Sequence, residues 1–119
     1  MEQGEYLYII GLGNAEDWEA GRGSIYYIED RNGERRIPVF TTYEKLQEYA
    51  AANLDNPTVY LTMLESVGAT HAAPLVADRF VVMPLDANGV AQAAALADAA
   101  YLVRDPRPGE RQEVLRLDR

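Results

Sequence analysis

Few side chains in this chain could carry chemistry. His71 is the only histidine and there is no cysteine. Thiol nucleophiles, disulfides and thiolate metal sites are excluded on that count, and one imidazole without a second does not build a zinc site. His71 lies in Ala69-Thr70-His71-Ala72, where an imidazole near neutral pH could serve as a base. No serine nucleophile motif accompanies it, so it reads as a loop histidine; an enzyme using His71 with a nearby carboxylate is the minor alternative. Glu16, Asp17 and Glu19 could offer carboxylates to calcium but lack the D-x-[DN]-x-[DN]-G spacing of a calcium loop. Gly11-Leu12-Gly13 follows a strand-like run, as a dinucleotide fingerprint would. The third glycine of that motif falls at Glu16, whose charge would repel a pyrophosphate. No catalytic, cofactor-binding or metal-binding residue is assigned, and the chain is expected not to be an enzyme.

Tyrosine is the unusual component, at eight of the eleven aromatic residues. Its apolar body and polar tip suit interfaces. Tyr6, Tyr8, Tyr26, Tyr27 and Tyr60 fall in strand-like segments and could line one interaction surface, with Trp18 in a neighbouring loop. The competing reading puts these rings in a sheet–helix core with their hydroxyls at its rim.

Net charge is −8, from 19 acidic and 11 basic residues. The arginines at 31, 35 and 36, and those from 104 to 119, alternate with acids. Such a surface disfavours nucleic acid and acidic membranes as partners. No apolar run reaches the roughly 18 residues of a spanning helix. Met1–Glu5 carries two acids and no basic n-region, so a cytoplasmic protein is expected.

These residues need a scaffold, and 119 of them suggest one domain over 1–119, with 105–119 as a tail that adds an edge strand or stays loose. Glu5–Leu12 reads as a central strand, apolar on both faces. Gly13–Gly23 reads as a loop. Ser24–Glu29 and Glu34–Phe40 flank Asn32-Gly33, the signature of a two-residue type I′ hairpin. That turn sets Arg31 against Glu34, Asp30 against Arg35, Glu29 against Arg36, Ile28 against Ile37 and Ile25 against Phe40. It also leaves Pro38 opposite Tyr27, where a donor is required. Thr41 and Glu44 form a capping box for a helix bearing Leu46, Tyr49, Ala50 and Leu54 on one side, with Phe40 as a staple. Thr58–Leu64 alternates like a strand, although Asn56-Pro57 also suits a helix start. Gly68–Asp78 is an Ala-rich connection, and Arg79–Leu85 reads as a short buried strand. A second helix spans about Val90–Val103, with seven alanines among the ten residues 91–100. The expected fold is α+β: a mainly antiparallel sheet with helices packed on one face.

The run Arg36-Ile-Pro-Val-Phe-Thr-Thr-Tyr-Glu-Lys-Leu-Gln-Glu-Tyr49 resembles the core motif of the SseB-like N-terminal domain family, a strand of the type "lPvFTs" entering a helix that begins "xExL". A later short strand, Val81-Val82-Met83-Pro84, ahead of a helix fits the same layout, although the family often has Asn-Pro-Gly where this chain has Met83-Pro84-Leu85. The resemblance implies a compact α+β domain without established catalytic residues, tied to secretion-accessory and protein-interaction roles. Taken together, these readings lead to a non-enzymatic interaction or accessory domain, expected to form a homodimer. The alternative is a small-ligand-binding or sensor domain with the Trp18 loop as a lid over tyrosines.

Overall fold

A computed structural model describes residues 6–55, 57–73, 75, 79–107 and 113–117. Within them run β1 (Leu7–Leu12), α1 (Ala15–Glu19), β2 (Ser24–Ile25), β3 (Ile28–Glu29), β4 (Arg35–Val39), α2 (Tyr43–Asp55), α3 (Pro57–Ser66), β5 (His71–Ala72), β6 (Phe80–Leu85), α4 (Ala87–Ala97), β7 (Tyr101–Arg104) and β8 (Glu113–Arg116). The strands form two sheets, in the orders β2-β1-β6 and β5-β3-β4-β7-β8. Only the β4–β7 pair is parallel. The sheets meet where Tyr8 of β1 bridges Phe40 just beyond β4, each amide donating to the other's carbonyl at 2.9 Å. The α+β class and the mostly antiparallel pairing agree with the reading of the sequence.

The helices do not share one face. Strand β1 sends Leu7 and Ile9 into a cluster with Val90, Ala93, Ala94 and Ala97 of α4. Its alternate residue Ile10 joins Leu46 and Tyr49 of α2 with Met63 and Leu64 of α3. Successive strand side chains point to opposite sides, so α4 lies on one side of β1 and α2 with α3 on the other. Two helical layers are what a strand apolar on both faces requires.

Several local differences from the sequence reading have identifiable causes. Gly13–Gly23 contains α1, started by a reciprocal cap: Asp17 N–H donates to Asn14 Oδ1 at 2.8 Å, and Asn14 N–H donates to Asp17 Oδ2 at 3.0 Å. The β3–β4 hairpin exists, but Glu29 faces Arg35 and Ile28 faces Arg36, one residue from the expected register. Asp30 causes the slip. Its Oδ1 accepts from the amides of both Asn32 and Glu34 at 2.9 Å. Gly33 alone takes positive φ (+78°), giving a three-residue loop instead of two. Ile25 pairs with Gly11 of β1 rather than with Phe40. The Pro38 conflict disappears with it. Arg35 and Val39 turn their carbonyls to the β7 side, accepting from Ala100 and Asp105, so Pro38 faces the side where β3 has already ended.

Thr42, not Thr41, caps α2, its Oγ1 accepting from Lys45 N–H at 3.2 Å. Phe40 is buried against the Tyr49 ring, centroids 5.2 Å apart. Residues 58–64 are helical, within α3. Met63, Leu64 and Val67 are buried beside half-buried Tyr60, a spacing of three and four that outweighs the local alternation. Helix α4 begins at an Asp86 cap (Gly89 N–H to Oδ1, 2.8 Å) and ends at Asp98, in the left-handed region at φ 54°. The expected helix to Val103 therefore stops early, and Tyr101–Arg104 becomes β7. Of the tail, Glu113–Arg116 forms edge strand β8 on β7; residues 108–112, 118 and 119 lie outside the described residues, as do Glu5, Asn56 and part of the Gly68–Asp78 connection.

Candidate interaction surface

The six residues singled out as a surface do not lie together. Tyr26 is 1% exposed and belongs to the core, its hydroxyl 2.8 Å from that of Tyr49. Burial pushes the Tyr49 hydroxyl well above its ordinary value, and the neighbouring Tyr26 adds to the shift. Tyr26 is raised by the same burial. Tyr60 is half-buried against the α2–α3 cluster and raised for that reason too. Tyr27 lies under the Arg35 guanidinium, 4.4 Å from its ring centroid. Trp18 is no lid over tyrosines. A methyl on Gly11 or Gly23 would come within 2.7 or 2.3 Å of its ring carbons, so the indole sits between two glycine backbones and packs on the α4-side cluster.

Tyr6 and Tyr8 do mark an exposed strip. Tyr6 is 60% exposed, two residues before half-buried Tyr8. Tyr8 meets the ring of Tyr43 edge-to-face at 6.3 Å, and Tyr43 is itself 45% exposed. Directly across the ladder from Tyr8 stands exposed Pro84 of β6. Antiparallel partners share a face, so Pro84 extends the aromatic strip onto β6. Tyr43 was hidden from sequence reasoning by its place in the first turn of a helix, and Pro84 by its reading as a strand terminator.

Strand β6 differs from the buried strand expected over Arg79–Leu85. Its sequence FVVMPL is apolar throughout, yet none of its six residues is buried. It ends its sheet: β1 pairs with it along all six residues, and no described strand lies on its other side. Gly13 N–H donates to the Arg79 carbonyl at 2.6 Å, which fixes the parity of the ladder. The odd residues of β6 bond inward to β1. The peptide groups of Phe80 and Val82 therefore point outward, and at Pro84 the outward position has a carbonyl but no donor.

Two other places bring polar groups together. His71 Nε2 lies 3.1 Å from Glu29 Oε2, and Thr70 Oγ1 lies 3.4 Å from His71 Nδ1. The β3–β5 pairing sets Glu29 opposite His71 and so creates this row. The imidazole is 59% exposed, and Glu29 is shared with Arg35 at 3.8 Å. A hydroxyl adjacent in sequence, on an open surface, lacks the enclosed carbonyl site that acyl transfer needs. The second place is a clasp. Asp105, left-handed at φ 46°, accepts from Thr41 N–H (2.9 Å), Thr41 Oγ1 (2.9 Å) and Lys45 Nζ (3.2 Å). It ties the end of β7 to the start of α2 beside a cavity of about 250 Å³ that Phe40, Tyr49 and Asn53 help to line. With its cation and carboxylate already paired to each other, the clasp presents little free charge. Among the described residues no group of three or more histidines or acids could hold a metal ion, and no helix is long and apolar enough to cross a membrane.

No family profile, curated protein or solved structure matches this chain.

Proposed function

We propose that this chain is a non-enzymatic interaction module that pairs strand to strand through the outer edge of β6, first of all with a second copy of itself. The observation that carries this reading is β6: six apolar residues, none buried, with no strand on the outer side among the described residues. An exposed apolar edge is a template for another strand. Main-chain hydrogen bonds would supply affinity, and the strip of Tyr6, Tyr43 and Pro84 would supply contact area. Pro84 limits the pairing to the Phe80–Val82 half of the edge, which favours a closed pair over a growing sheet. Such a role agrees with what the SseB-like resemblance implies.

Native mass spectrometry across a concentration series tests the reading. A dimer is expected for the parent chain. Val82→Pro, which removes an outward donor, should weaken it about tenfold or more, a hydrogen bond's worth together with its geometry. Pro84→Val, which restores a donor, should tighten it. A parent chain that stays monomeric at every concentration would remove self-pairing from consideration.

A further inference from the structure

A second feature lies on the opposite side of the sheet from the tyrosine strip. Between α4 and the β7–β8 pair runs a groove of about 320 Å³. Leu7, Val90, Leu102, Leu115 and Leu117 form its apolar wall, and Ala87 and Ala91 on α4 leave it open by their small size. Among the described residues, the charged ones lining it are Arg104 and Arg116, in a chain whose net charge is −8.

Arg104 is the informative one. It is two residues from Leu102 on β7, so its side chain leaves the strand on the same side as Leu102, toward α4. Its Nε is buried and has no hydrogen-bond partner. Its Nη1 makes a long ion pair with Glu113 Oε2 at 3.9 Å, beyond hydrogen-bond reach, and the two side chains are 37% and 57% exposed. A buried guanidinium donor left unpaired is unfavourable, and the planar fork of an arginine fits a carboxylate with two parallel bonds. Register explains why β8 supplies no hydrogen-bonding partner for Nε among the described residues: Glu113 lies opposite Arg104 at the rim, while Leu115 and Leu117 follow on the same face.

From the apolar wall and the guanidinium at one end, whose Nε lacks a hydrogen-bond partner, we infer that the groove binds a small aliphatic monocarboxylate, its tail along the leucines and its carboxylate on Arg104. This inference does not depend on pairing through β6. The volume suits a medium chain, and a ligand of that size in an apolar cleft is expected to bind in the millimolar range or tighter.

The test is an amide NMR titration of the whole chain with octanoate, with octanol as the uncharged control. Octanoate should shift the resonances of α4, Leu102 and Leu115–Leu117, and should bind about tenfold more tightly than octanol. Arg104→Gln should abolish that preference while leaving octanol affinity unchanged. Ala91→Phe, at an exposed helix position, should fill the groove and stop both ligands. The spectrum of each free variant shows whether it is folded. Shifts scattered over the surface, equal affinity for octanoate and octanol, or octanoate binding that survives both substitutions would each overturn the inference.

Discussion

Strands β1 and β6 make a close comparison. They have equal length, similar apolar content and a ladder that joins all six residues of each. Four residues of β1 are buried and none of β6. Composition does not separate them; neighbours do. Strand β1 has β6 on one side and β2 and Phe40 on the other, with helices above and below. Strand β6 has β1 as its one strand neighbour among the described residues, and the two helical clusters cover Phe80, Val82, Met83 and Leu85 only in part. A run of apolar residues therefore announces a strand without announcing its burial, and an interaction edge reads in sequence like core.

The largest contrast is expected from truncations at facing positions. Ile9 is fully buried and pairs with Met83 across the ladder. Ile9→Ala should lower the urea-derived stability by about 2–5 kcal/mol, against about 1 kcal/mol or less for partly exposed Met83→Ala. Equal losses would mean that β6 is as much core as β1. Next comes the Trp18 wedge over β1. Gly23→Ala places a methyl 2.3 Å from indole carbons, and relief of that overlap should cost about 1–3 kcal/mol with a shift in Trp18 emission. An unchanged spectrum would show that the indole is free to move.

The third test concerns the second neighbour of β1. Tyr26 N–H donates to the Ile10 carbonyl at 3.0 Å, while the Tyr26 hydroxyl meets that of Tyr49. Tyr26→Phe leaves the other buried hydroxyl short of a partner and should cost about 1–2 kcal/mol in thermal or urea unfolding. The same pair sets an alkaline limit. Burial raises both hydroxyls above their ordinary value of 10.0. Above about pH 10 the unfolded chain loses these protons while the folded chain keeps them, so stability is full below that pH and falls as pH rises through it. The double Phe variant should flatten this decline in urea titrations; an identical slope would place the sensitivity elsewhere. The smallest effect is at single amides. At concentrations low enough to keep the chain monomeric, Phe80 and Val82 should exchange with solvent faster than Tyr8 and Phe40, whose amides bond to each other's carbonyls. Protection at Val82 in the monomer would mean that the edge is covered.

What could be read from the sequence follows the same division. Local chemistry was legible: the hairpin, the helix through Leu46 and Tyr49, and the apolar faces of β1 all lie where residue types place them. Competition between two local signals was not. Asn32-Gly33 specifies a two-residue turn, but the Asp30 carboxylate captures two amides and lengthens it by one. Thr58–Leu64 alternates, but the spacing that reaches core is that of Tyr60, Met63, Leu64 and Val67. The alanine run favours helix past Asp98, and a left-handed aspartate ends it. The candidate surface was half legible. Tyr6 and Tyr8 mark it, but Tyr43 and Pro84 join them only through tertiary contact, and Tyr26 leaves it for the same reason.

The parallel pair at the centre of the larger sheet bears on how the chain reaches this state. Strand β4 meets β7 in a register that sets Arg36 beside Tyr101, so the partners are 65 positions apart in sequence. The β3–β4 hairpin can close within microseconds, whereas the β4–β7 pair must wait until α2, α3, β6 and α4 have been traversed. During synthesis, Ile37 and Val39 emerge well before their partners Leu102 and Arg104. The nascent chain thus carries a sticky, half-finished sheet until β7 and β8 have been made to complete it.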